Sequence, residues 1–167
     1  MTSASPRVAA LLCAIAAAAA LAVALGSERF DGLVPCALCL LERWPYRIAI
    51  GLGVLGVLLP RRASVVLLWL VLLTILASAA LAFVHVGVEQ GYWPSPLPEC
   101  AAPHFAVGGS IADRLASMPA RPSKPCDDPT FLVPGIPLSM AAMNLVFALA
   151  FAALLAIYLL RNAGRRT

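Results

Sequence analysis

Charge is what this chain has least of. Only 12% of its 167 residues are charged, against 62% that are hydrophobic, and the mean hydropathy is +0.91. A soluble domain carries about 25% charged and about 45–50% apolar residues. An aqueous globule is therefore excluded, because one small core could not hide so much apolar surface, and lipid must be part of the solvent. Blocks of basic residues with interleaved aromatics are also missing, which sets nucleic-acid binding aside despite a net charge of +4. There is no haem-attachment CxxCH, no nucleotide fingerprint and no flavin motif.

Long apolar runs are what the chain does have. They cover Val8–Leu25, Trp44–Leu59, Val65–Val88 and Leu138–Leu160, and a membrane-crossing helix takes about 20 such residues. The second run reaches that length only if it starts near residue 40, closer to Cys36. The first has an alternative as a secretory signal peptide, with Ala22-Val23-Ala24 as a cleavage-like site. Its 18-residue apolar run exceeds a signal core of about 7–15 residues and favours an anchor. Either reading leaves the stretch that follows on the same side.

Acids are missing from one side altogether. With four spans, one face holds Arg7, Arg61, Arg62, Arg161, Arg165 and Arg166, while all eight acids fall on the other. Short loops rich in arginine stay in the cytoplasm. The chain thus reads as an all-α membrane protein, one membrane domain over residues 1–167. Its four-transmembrane-helix bundle has spans at about 8–25, 40–59, 65–88 and 138–160. Segments 1–7, 60–64 and 161–167 are cytoplasmic, and 26–39 and 89–137 face outward. The long outward loop holds ten of the fourteen prolines and should be largely irregular. Within it, Ser110 and Asp113 resemble a capping box, and Ile111, Leu115 and Met118 share one helical face. A short surface helix over 110–118 is expected there, with a solvated turn as the alternative.

Five cysteines remain. Cys13 lies alone in the first span and reads as a small buried hydrophobe. The other four face outward as Cys36/Cys39 and Cys100/Cys126. A four-cysteine zinc site would require two close-spaced pairs, and the second pair is widely separated. The oxidising side also favours disulfides. A Cys100–Cys126 bond would close the proline-rich loop and stabilise it by ~3 kcal/mol. That account does not suit Cys36/Cys39, whose two-residue loop has little entropy to remove, whereas a CxxC pair is more usually a redox couple. If Pro35 opens a helix, Cys36, Cys39 and Arg43 share a face, and the helix N-terminus and Arg43 both favour thiolate. Pro45 would kink that helix or mark where its regular part starts. Arg47 reads as snorkelling to headgroups. Glu42 pairs with an arginine or takes up protons, and His85, near the outer end of the third span, either bonds a ligand or is a satisfied polar group. His104, in the loop, reads as solvent-exposed. Trp44, Trp69 and Trp93 serve packing and interfacial anchoring. An electron acceptor dissolved in the bilayer would need only an apolar crevice with a few polar groups.

The stretch Pro35-Cys-Ala-Leu-Cys-Leu-Leu-Glu-Arg43 resembles the signature of the bacterial disulfide bond formation protein B family. So do the segment His85-Val86-Gly87-Val88-Glu89-Gln90, the run from Gly135 to Asn144, and the second outward cysteine pair. Met143 stands where the family commonly has an aromatic, and the loop is richer in proline. The resemblance implies a quinone-dependent oxidoreductase of the inner membrane. In it, Cys100 is attacked by a reduced periplasmic thioredoxin-fold thiol oxidase, and Cys126 then attacks Cys36. Cys39 is left as a thiolate facing ubiquinone or menaquinone, with Arg43 stabilising negative charge. His85 and Glu42 are expected near the quinone, and no metal is expected. Two other readings stand beside this one: a non-enzymatic membrane protein whose disulfides staple its loop, and a reductant exporter. The exporter needs cysteines reachable from the cytoplasm, where only the unpaired Cys13 is a candidate.

Overall fold

The structure, a computed structural model, describes residues 5–100, 124–132 and 135–164. These form four long helices: α1 (Pro6–Phe30), α2 (Ala37–Leu58), α3 (Arg61–Glu89) and α4 (Met140–Ala163), with one 3₁₀ turn at Pro98–Cys100. The expected surface helix at 110–118 and His104 lie outside the described residues.

Local chemistry sets each boundary. Ser5 caps α1 by accepting from the Val8 N–H, and Pro6 follows in the first turn, where its missing donor costs nothing. Ser139 caps α4 by accepting from the Ala142 N–H at 3.1 Å. Pro60 separates α2 from α3. Two expectations for α2 are corrected. Pro35 does not open the helix: Cys36 is its cap, in extended conformation, and Ala37 is the first helical residue. Pro45 does not delimit the helix either; it lies buried inside one continuous segment. Pro45 removes one intrahelical donor, a loss the surrounding helix packing accommodates.

Helix α1 packs on α2, α2 on α3 and α3 on α4, with a lesser contact between α1 and α3. The core is built from Ala10, Cys13 and Ala17 of α1, Leu68, Val71 and Ile75 of α3, and Ala148, Phe151 and Leu155 of α4. Large apolar side chains such as Leu12, Leu73, Val146 and Leu154 point outward instead. Helices apolar on every side require lipid around them. Between such helices, small residues permit close approach. Gly53 illustrates this: a Cβ there would lie 2.9 Å from the Ala10 carbonyl oxygen and 2.9 Å from the Ala14 Cβ. Three helices, α1, α3 and α4, are long and apolar enough to cross a membrane. Helix α2 has 22 residues, but Glu42, Arg43 and Arg47 interrupt its apolar run.

The segment leaving α3 folds back over that helix. Trp93 donates its indole N–H to the Val84 carbonyl at 3.0 Å and lays its ring on Gly87. A Cβ at position 87 would fall 1.8 Å from the ring. Replacing Gly87 with alanine should therefore expel Trp93 and cost about 1–3 kcal/mol, as overpacking does. A lower melting temperature in detergent, with greater quenching of a variant retaining Trp93 alone, would be the signature.

Candidate redox site

The two cysteine pairs come together at the end of the bundle where α2 starts and α3 finishes. Cys36, Leu38, Val88, Cys100 and Cys126 form one buried apolar cluster, with Trp93 and Leu97 packed against it. Cys100 and Cys126 are joined as a disulfide, with Cα atoms 5.0 Å apart. The chain returning from the loop runs beside the start of α2 through a parallel bridge between Cys36 and Lys124. Lys124 is itself held by the Thr130 hydroxyl at 2.7 Å and by Asp128 at 3.2 Å. This anchoring brings the widely separated second pair against the first.

Cys36 and Cys39 are free, with sulfurs 2.7 Å apart. As the helix cap, Cys36 Sγ accepts the backbone N–H of Cys39 at 3.2 Å. The Cys39 thiol bonded to Cys36, reinforced by that backbone N–H, holds the Cys36 thiol below the ordinary thiol range against the opposing effect of burial. The pair is asymmetric in its surroundings as well. Cys36 is buried in the cluster, whereas Cys39 is half-buried and lines a cavity.

That cavity has a volume of about 300 Å³, the lower end of ligand-pocket sizes. It lies between α1, α2 and α4, lined by apolar residues such as Leu21, Val23, Met140 and Phe147, with Cys39, Glu42, Arg43, Tyr46, His85 and Asn144 among its polar residues. Arg43 comes from α2 and forms an ion pair with Glu28 of α1 through its NH2 group. Its Nε is buried and has no partner among the described residues. Arg43 also lines the cavity, and a guanidinium there suits an acceptor oxygen.

Behind the cysteines lies a chain of hydrogen bonds across three helices. His85 Nδ1 lies 2.7 Å from Glu42 Oε1, and its Nε2 lies 3.4 Å from Cys36 Sγ. The other Glu42 oxygen accepts from the Asn144 amide at 2.6 Å, and Asn144 Oδ1 accepts from the Tyr46 hydroxyl at 2.5 Å. Glu89 bonds the Ser139 hydroxyl and lies 4.0 Å from His85 Nε2. The expectation that Glu42 pairs with an arginine is thus corrected: its partners are His85 and Asn144, and the acid beside Arg43 is Glu28. Arg47 is exposed and stacks over Trp44 at 5.2 Å, as a residue reaching for the interface would.

Glu28, Tyr46 and Asn144 carry no role in the sequence reading. Asn144 had a signal, being a lone amide within an apolar span. Glu28 had none, since a carboxylate just past a helix's apolar run resembles any interfacial charge.

Comparison with known proteins agrees with this geometry. The family model described as "Disulfide bond formation protein DsbB" matches residues 6–158. Uncharacterized protein RP370 of Rickettsia prowazekii (strain Madrid E) is 33% identical over 128 residues, covering 76% of this chain and 72% of its own. No solved structure gives a significant match.

The Cys39 hydrogen bonds make a direct forecast for the reduced protein. Alkylation of Cys36 should follow a pH profile whose midpoint lies below that of an ordinary thiol. Cys39→Ala, which removes the thiol donor, should move the midpoint upward. Mass spectrometry of iodoacetamide-labelled peptides across a pH series measures both, and an unmoved midpoint would exclude Cys39 as the source.

Proposed function

This chain belongs to the disulfide bond formation protein DsbB family, and from that premise we propose what it oxidises and where the electrons go. We infer an inner-membrane oxidoreductase that reoxidises a periplasmic thioredoxin-fold thiol oxidase and delivers the electrons to membrane quinone. The observation that carries this reading is the placement of the free Cys36/Cys39 pair. It lies between a buried disulfide on one side and an apolar cavity lined by Arg43 on the other.

On this reading α2 is the fourth span. At 1.5 Å per residue it is about 33 Å long, enough to cross, and Glu42 and Arg43 are buried within the bundle rather than turned to lipid. The arginine bias puts both termini in the cytoplasm and both cysteine pairs in the periplasm, where a Cys100–Cys126 disulfide is chemically at home.

The reaction then runs by exchange. A partner thiolate attacks Cys100, forming a mixed disulfide and releasing Cys126 as thiolate. The second partner thiol resolves the mixed disulfide, so the partner leaves oxidised and Cys100/Cys126 becomes a dithiol. With Cys36–Cys39 oxidised, Cys126 attacks Cys36 and Cys39 departs as thiolate. Cys100 closes on Cys126, and the second pair is restored while the first holds the two electrons. Bound quinone supplies the chemistry of a two-electron, two-proton acceptor. Arg43 would hold its oxygen and stabilise negative charge at Cys39. His85 is better placed toward Cys36 than toward the cavity's contents. Its Nδ1 is taken by Glu42, which leaves Nε2 to hold or receive the Cys36 proton. The balance is partner dithiol plus quinone giving partner disulfide plus quinol.

The staple reading leaves the free pair and the cavity beside it without a role. The two readings separate in an assay of the full chain in detergent with a reduced thioredoxin-fold oxidase and a short-chain ubiquinone. Quinone absorbance should fall in step with partner oxidation. Cys39→Ser should abolish it, and Arg43→Met should lower kcat/KM by about 10²–10³-fold. Continued quinone reduction by Cys39→Ser would sink the assignment.

A further inference from the structure

Cys36 Sγ, Cys39 Sγ and His85 Nε2 converge so that all three atoms lie within 4.8 Å of one another. Two thiols and an imidazole are the donor set of Cys₂His zinc sites, which bind through three protein ligands and leave a fourth position open. We propose that the reduced Cys36/Cys39 pair, together with His85, forms a Zn²⁺ site that holds the protein in its reduced state.

The supporting residues are already arranged as such a site needs. A ligating histidine almost always gives its other ring nitrogen to a carboxylate, which fixes tautomer and ring orientation. Glu42 Oε1 takes that place, 2.7 Å from Nδ1. The lone pair of Nε2 is thereby turned toward Cys36, 3.4 Å away. Glu42 is itself fixed through its second oxygen by Asn144.

Geometry requires one adjustment. With Zn–S near 2.3 Å and Zn–N near 2.0–2.1 Å, donors around a tetrahedral ion sit about 3.3–3.8 Å apart. The Cys36–His85 separation already matches. The two sulfurs, 2.7 Å apart, must open by about 1 Å. Cys39 can supply that movement because it lines the cavity. The same cavity leaves the fourth coordination position to water.

Binding moves no electrons. Zn²⁺ replaces two thiol protons, which are released, and the ion has no redox chemistry of its own. The oxidised pair has no thiolates to offer, so the site exists only while Cys36 and Cys39 are reduced. An occupied site keeps both sulfurs from reforming their bond, and removal of the ion by a chelator frees them.

The test uses the full chain in detergent, reduced or oxidised at Cys36/Cys39, and titrated with Zn²⁺ against a chromophoric chelator. One ion per reduced chain, with release of two protons, and none in the oxidised chain is the expected result; this comparison involves no substitution. His85→Ala should lose stoichiometric binding, and Glu42→Gln should weaken it by about 10–100-fold. Cys100→Ser/Cys126→Ser should bind as wild type does. The proposal is overturned if the reduced chain takes up no zinc, if the oxidised chain binds equally, or if binding disappears with Cys100 and Cys126. Each of these outcomes is read without quinone or partner, so it leaves the electron-transfer assay independent.

Discussion

A carboxylate inside a membrane bundle must be compensated or left protonated, since an isolated buried charge is very costly. Glu42 meets that constraint with partners from two other helices, His85 of α3 and Asn144 of α4, while it stands on α2 itself. Satisfying one acid therefore fixes the relative positions of three helices. It also sets which ring nitrogen of His85 faces Cys36, and through Asn144 it positions the Tyr46 hydroxyl. The cavity and the cysteine pair lie against this network.

Apolar contact alone could not do this. Lipid tails are as apolar as leucine, so helices in a bilayer associate through close packing of small residues and through hydrogen bonds between helices. Both devices are used, at different depths. Toward the end of the bundle where α1 starts, Gly53 and Gly56 let α2 approach Ala10 and Ala14 of α1 closely. Toward the other end, where α1 and α4 leave the cavity between them, polar bonds join the packing: Arg43 to Glu28, Tyr46 to Asn144, and Ser139 to Glu89. The site lies where the bundle is held by directed bonds, and such bonds position side chains more sharply than apolar contact does.

Four long helices were legible in the sequence, and three of them, α1, α3 and α4, carry the length and apolar composition that a bilayer imposes. Cys36, Cys39 and Arg43 could be singled out because a CxxC pair and a nearby cation are recognised by residue type and short spacing, whereas Cys100 and Cys126 stand 26 residues apart. Pairings between helices were not legible. Asn144 reaches Glu42 across 102 residues and Arg43 reaches Glu28 across 15, and no periodicity within a single helix encodes which face meets which. The start of α2 was misread for a different reason. Proline is a common first helical residue, yet here a cysteine sulfur caps the helix, a role that propensity assigns to serine or aspartate. Of the two readings of Pro45, the one that starts the helix there is set aside, since the helix begins eight residues earlier at Ala37.

The Cys100–Cys126 bond is nearly sealed from water, at 4% and 1% exposure, in a cluster against which Trp93 and Leu97 pack. What water cannot touch, small thiols in the surrounding fluid cannot touch either. The bond is insulated, like a wire whose sheath must be cut back before current can be tapped. A free thiol of low molecular weight lacks the contact area to displace an indole ring and a leucine. A protein that binds over that surface can offset their displacement with contacts of its own. Burial of this kind shields the bond from low-molecular-weight thiols.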